Sequence, residues 1–239
     1  MKKADASTDA FLDWPAKFDE LSKQARHPAL QRFYRAGVVA AQTPVEHVNF
    51  LALDVETTGL DAQADSIVSI GLLPFTLRRI QCQHAHYQVV RPASELSGKS
   101  VTFHHITHAE VANAPTFEVI YETLLTAMAG KVMVVHYRNI ERAFLNRAFM
   151  DHVGEGLQFP VIDTMQLEAR LHRQKLGWLG RLLRRPQLSI RLADSRARYN
   201  LPMYHAHHAL TDALAAAELL QAQVATHHGP TTSLGSLWS

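Results

Sequence analysis

The stretch Val48-Asn49-Phe50-Leu51-Ala52-Leu53-Asp54-Val55-Glu56-Thr57-Thr58-Gly59-Leu60 decides how this chain reads. Residues 48–55 have the apolar character of a buried strand, and Thr57-Thr58-Gly59 breaks it. Residues two apart on a strand point the same way, so Asp54 and Glu56 share one face at its C-terminal end. Two carboxylates side by side repel each other. A shared proton or a divalent cation offsets that repulsion.

Working outward, residues 67–73 and 83–90 make two more strands, which predicts an antiparallel meander of three. A helix follows over residues 116–128. Its apolar face is Phe117, Ile120, Leu124, Leu125 and Met128, and Gly130 closes it. Val132-Met133-Val134-Val135 is a short, wholly apolar run of the kind found in buried parallel strands. A helix over 140–150, a short strand at Val161-Ile162, a helix over 164–171 and an alanine-rich helix over 209–225 complete the body. Three strands followed by alternating strand and helix predict an α/β fold with a mixed sheet. Acids at the ends of such strands point into a common crevice.

Upstream, Asp13-Trp14-Pro15 opens a helix, with aspartate at the N-cap and proline in the first turn. Two small helices are expected over residues 11–38, packed on the body as a structural appendage or free to dock a partner. The chain therefore divides into a helical extension (1–44), a main domain (45–226) and a polar tail (227–239) that His228-Gly229-Pro230 opens.

Composition narrows the class of protein. Of 239 residues, 47% are apolar and 19% charged, a globular balance. No apolar run approaches the roughly 18 residues of a membrane span. The N-terminus lacks the apolar core of a signal peptide. A cytoplasmic protein without membrane contact is expected. The lone Cys82 rules out an internal disulfide and a zinc finger. The net charge of +2 is low for an electrostatic nucleic-acid binder. Arginines do cluster between positions 170 and 198, as a phosphate track or a solvated helical face.

Two further clusters join Asp54 and Glu56. In His136-Tyr137-Arg138-Asn139-Ile140-Glu141, Glu141 falls in the first turn of a helix, where the dipole favours a carboxylate. In His205-Ala206-His207-His208-Ala209-Leu210-Thr211-Asp212, the acid lies early in a helix whose other residues look buried. An acid there needs a partner. Five helical residues turn about 140° beyond a full circle. His207 is therefore expected on the loop before the helix, bending back towards Asp212.

The ordered set resembles the DEDDh branch of the ribonuclease-H-like 3′→5′ exonucleases. That family includes the proofreading subunit of bacterial DNA polymerase III, ribonuclease T and oligoribonuclease. The resemblance spans roughly residues 46–226 and includes Phe103-His104-His105-Ile106-Thr107, Ala114-Pro115-Thr116-Phe117 and Ile162-Asp163-Thr164. It departs in the second motif, where Glu141 stands at the family's aspartate and Tyr137-Arg138 replace small or amide residues.

The resemblance implies a ribonuclease-H-like mixed sheet flanked by helices and a hydrolase of nucleic-acid ends, in DNA repair or a related task. It implies two Mg2+ ions, with Mn2+ able to substitute. Asp54, Glu56 and Asp212 hold one ion, Asp54 bridges to the second, and Glu141 acts through that ion's shell. His207 is the implied general base, with His205 and His208 as competitors. The turn bearing Thr57, Gly59 and Leu60 and the segment bearing Phe103 and His105 are the implied contacts for a single-stranded DNA or RNA 3′ end. Trimming of RNA or short oligonucleotides is the alternative activity. A polymerase-associated docking subunit, contacting its partner through the N-terminal helices, is the alternative without catalysis. The short stretch after the last helix speaks against that role.

Overall fold

A computed structural model describes residues 12–93, 106–172 and 188–238. Its centre is a five-stranded sheet of order β3-β2-β1-β4-β5. The strands are β1 (Phe50–Thr57), β2 (Ile67–Phe75), β3 (His86–Val89), β4 (Val132–Val135) and β5 (Val161–Asp163). β1 pairs antiparallel with β2 and β2 with β3, which is the expected meander. β4 and β5 join on the other side of β1, both parallel. Parallel strands need crossover connections, and the chain supplies helices there.

The helices are α1 (Trp14–Gln24), α2 (Pro28–Arg35), α3 (His108–Ala112), α4 (Phe117–Met128), α5 (Arg138–Val153), α6 (Thr164–His172), α7 (Leu192–Arg198) and α8 (Ala209–Gln223). Helix α8 lies across β1 and β2. Its alanines Ala209, Ala213, Ala216 and Ala217 are buried, and such small side chains let the helix axis come close to the sheet. The mixed sheet flanked by helices is the fold class the sequence predicts.

The boundaries differ in places. β1 runs two residues beyond the expected end and carries Glu56 within the ladder, with an irregularity between Glu56 and Thr57. The third strand is shorter than expected, because a 3-10 turn at Cys82–His84 takes up its start. Helix α5 begins at Arg138 rather than Ile140.

The first and last described segments are both built into the body. Asp13 caps α1 by accepting from the Ala16 amide at 3.2 Å. Trp14, Phe18, Leu30, Phe33 and Tyr34 are buried in the same core as the sheet. The segment after His228, expected as a polar tail, packs as well. Leu234, Leu237 and Trp238 are buried. The Leu234 amide donates to the Thr43 carbonyl at 2.9 Å, and Arg170 donates to the Ser236 and Trp238 carbonyls. Three apolar residues among polar ones were enough to bring the segment home, a spacing too sparse to register as a periodic element.

Candidate active site

The acids sit at the C-terminal edge of the three parallel strands. Asp54 and Glu56 leave β1 on one face, two residues apart, both half-buried. Asp212 lies in the first turn of α8, and the alanine-rich packing of that helix brings it over the same edge. One ligand atom from each of Glu56, His207 and Asp212 lies within 4.8 Å of the others. Neither His205 nor His208 enters that cluster.

His207 reaches the acids by the expected bend. Its backbone is left-handed (φ 70°), and its amide donates to Asp212 Oδ2 at 2.8 Å. Such a φ is uncommon outside glycine, so the surroundings must hold it. His208 is drawn away and stacks on Tyr87 with ring centroids 4.4 Å apart.

Glu141 is buried at 2% exposure in the first turn of α5. Its Oε2 has no hydrogen-bond partner among the described residues. The start of α5 is fixed by Asp163 at the end of β5. That carboxylate accepts from the amides of Tyr137, Arg138, Met165 and Gln166 at 3.0–3.3 Å. It thereby satisfies the first turns of α5 and α6 together. Tyr137 is held at φ 96°, an unusual backbone for a bulky residue. The sequence named Asp163 within a motif but gave it no task, because its work lies in amides that only the fold brings near.

The electrostatics are those of crowded, desolvated carboxylates. Burial pushes Asp54 well above the usual carboxylate range, and the charges of Glu141, Glu56 and Asp212 add to it. Burial and then Asp212 push Glu56 up to about 8. Burial also raises Glu141, with Asp163 adding to it. Burial raises Asp212, and its bond from the His207 amide opposes that. Four acids held at such a cost, one with an orphaned buried oxygen, fit a divalent cation. Oxygen donors of this kind suit hard ions.

The other implied contacts are distributed unevenly. Thr57 donates its hydroxyl to the Gly59 carbonyl at 2.5 Å, which tightens the turn after β1. A side chain on Gly59 would collide with the Asp65 carboxylate. Leu60 projects at the tip, 86% exposed. Phe103 and His105 lie outside the described residues, as do Arg173, Lys175, Arg181, Arg184 and Arg185 of the basic cluster. Among the described arginines there, three are spent inside the fold. Arg170 holds the C-terminal segment, Arg198 pairs with buried Glu168, and Arg196 donates to the Ala215 and Pro202 carbonyls and to Glu218. Arg191 lines a cleft of about 450 Å3 that opens onto Asp54, His207 and Asp212, with Met203 and Tyr204 on its walls.

A mixed sheet with Asp54, Glu56, Glu141 and Asp212 gathered at one edge, and a histidine five residues before the last acid, is the arrangement of a 3′→5′ exonuclease. The exonuclease family profile matches residues 51–220, and the chain belongs to that family. It is 29% identical over 182 residues to the DNA polymerase III subunit epsilon of Treponema pallidum, covering 76% of this chain and 79% of the relative. It spans only 9% of the DNA polymerase III PolC-type protein of Thermotoga petrophila, at 28% identity over 54% of this chain. The fold is similar to exonuclease X in complex with 5′ overhanging duplex DNA (TM-score 0.58, 23% identity, 79% of this chain and 98% of that one). It is also similar to the nuclease domain of 3′hExo, a DEDDh family member, bound to rAMP (TM-score 0.60, 15% identity, 75% and 92%). Enzymes of this family use divalent metal ions. Among the described residues no helix is long and apolar enough to cross a membrane.

Proposed function

We propose that this protein removes single nucleotides from the 3′ end of single-stranded DNA, with His207 as general base and Mg2+ as the natural ion. The observation that carries this reading is the meeting of Glu56, His207 and Asp212 within 4.8 Å at the edge that also holds Asp54 and Glu141. Two bound cations, for which Mn2+ would substitute, would make a water nucleophilic and ease the charge on the leaving oxygen. Asp54, Glu56 and Asp212 are the residues to hold them, with Glu141 completing the set through its free oxygen.

The chain's own part follows from position. An imidazole nitrogen of His207 takes the proton of the attacking water, as a histidine within hydrogen-bond reach of it can. The new P–O bond forms as the bond to the penultimate 3′ oxygen breaks. That oxygen is reprotonated from solvent, and a nucleoside 5′-monophosphate leaves. The turn at Thr57, Gly59 and Leu60 borders the acids and offers an exposed apolar tip for the terminal base. Phe103 and His105 are proposed as further contacts of that end. The cleft beside Tyr204 and Arg191 gives the preceding nucleotides a way in.

Hydrolysis of RNA ends is the second reading. The acids meet phosphate and water rather than the 2′ position, and a structural neighbour binds rAMP. Association with a polymerase is supported by the likeness to an epsilon subunit. The helices α1 and α2 bury their apolar stripe against the body, so docking there would use their polar faces.

A time course on 5′-labelled single-stranded DNA and matched RNA, with Mg2+ and then EDTA, tests the proposal. A ladder shortening from the 3′ end, lost with EDTA and faster on DNA, is expected. No shortening of either strand with Mg2+ or Mn2+ would overturn it.

A further inference from the structure

The sheet carries a row of three residues that sets where the catalytic loop stands. Asp54, Gly71 and Tyr87 are register partners on β1, β2 and β3. Directly paired residues point to one face, so the row runs from the reactive acid outwards beneath the N-terminus of α8. At Gly71 the helix touches the sheet. A Cβ there would lie 2.3 Å from the backbone carbon of Ala209, so only glycine fits. At Tyr87 the ring lies nearly flat on His208, with centroids 4.4 Å apart and 21° between the planes. Gly71 thus takes the backbone of the helix's first residue, and Tyr87 takes the side chain just before it.

His207 stands between this seat and Asp212. Its backbone is left-handed, its amide is tied to Asp212, and its neighbour is clamped on Tyr87. A left-handed residue other than glycine persists where its surroundings hold it. The Asp212 bond holds one side.

We infer that Tyr87 is a positioning residue for His207: its ring, stacked on His208, holds the bend that keeps the His207 imidazole beside Glu56 and Asp212. This rests on the reading of His207 as the base. Tyr87 is no proposed ligand, although it lies near enough to Glu56 to feel its charge. The hydroxyl lies beside Ser69, and it is the flat ring that meets His208.

The test compares Tyr87→Phe, Tyr87→Leu, His208→Ala and the double variant Tyr87→Leu/His208→Ala with wild type, on a labelled single-stranded oligonucleotide. Misplacing a catalytic group by about 1 Å costs up to roughly 100-fold. Tyr87→Leu is expected to lower kcat by roughly 10- to 100-fold with KM within about twofold. Tyr87→Phe is expected to stay within about threefold of wild type. The double variant should lose no more than the worse single one, because both break the same stack. Amide hydrogen exchange at His207, read against the core of α8, should quicken in Tyr87→Leu and not in Tyr87→Phe. Unchanged kcat and exchange in Tyr87→Leu, equal losses in Leu and Phe, or additive losses in the double variant would overturn the inference. The exchange measurement judges the seat even where no activity is found on any strand, an outcome that would instead overturn the proposed reaction.

Discussion

The main-chain amide of His207 donates to Oδ2 of Asp212 at 2.8 Å, joining the His207 loop to the first turn of α8. Asp212 is therefore both a ligand candidate and the structural acceptor for that loop. The two duties separate by substitution. Asp212→Asn keeps an acceptor and should keep the melting temperature, whereas Asp212→Ala should lose about 1 kcal/mol of stability or more. Both should be inactive for want of the charge, as should Asp54→Ala. Detectable turnover in any of the three, by the labelled-strand assay, would contradict the shared-ion arrangement.

His207→Ala removes the proposed base and leaves every carboxylate in place. Turnover should fall by roughly 100-fold or more, while Mn2+ binding by calorimetry stays near wild type. Turnover close to wild type would assign the proton to another acceptor.

Glu141 is buried with an unsatisfied oxygen, so its charge matters more than its shape. Glu141→Gln should lower turnover by roughly 100-fold and Mn2+ affinity by roughly 10-fold or more. Glu141→Asp restores the family's residue but draws the carboxylate back by a methylene on a helix start that Asp163 fixes. It should cost about tenfold in turnover rather than raise it. A faster Glu141→Asp enzyme would show that the glutamate is the ill-fitting residue.

The raised carboxylates make the ion-free protein sensitive to alkali. Glu56 titrates near 8 when folded, against an ordinary value near 4.5 when unfolded. The folded state then binds more protons between those values. The stability gained is fully present below about 4.5 and is lost as pH rises through about 8. His136 acts oppositely at lower pH. Burial pushes it down to about 4, so it removes stability as pH falls below about 6.5. Between pH 6.5 and 8.5 the acids dominate. In EDTA the melting temperature should drop by roughly 5 °C or more over that window, and Mg2+ should restore it more at pH 8 than at pH 6.5. A flat or rising profile in EDTA would refute the crowding of the acids.

Asp163 accepts four backbone amides, and its charge reaches Glu141. Asp163→Ala should cost about 2–4 kcal/mol of stability, the range for charged acceptors of several bonds. It should also lower turnover by loosening the start of α5 that carries Glu141. Denaturant melts read the first effect and the strand assay the second. A stable, fully active Asp163→Ala protein would mean that the turn at Tyr137 holds without it.

The sequence by itself determined the sheet's strands, the longer helices that connect them though not the short α3 and α7, and the acids with their histidine. These follow from local pattern: apolar periodicity, two carboxylates spaced two apart on a strand, and an acid in a helix's first turn. It determined even the bend of His207, since five helical residues cannot bring two side chains to one point. Tertiary structure alone decided what depends on distant residues meeting. Gly71 reads as any glycine until Ala209 lies on it, and Tyr87 as any strand aromatic until His208 stacks on it. Arg170, Arg196 and Arg198, three of the clustered arginines, are bound to carbonyls and carboxylates far along the chain. The segment after His228 looked polar because composition counts residues, whereas burial depends on the few that find the core. Short-range spacing is written in the chain, but a partner across the fold is chosen by packing, which no local pattern encodes.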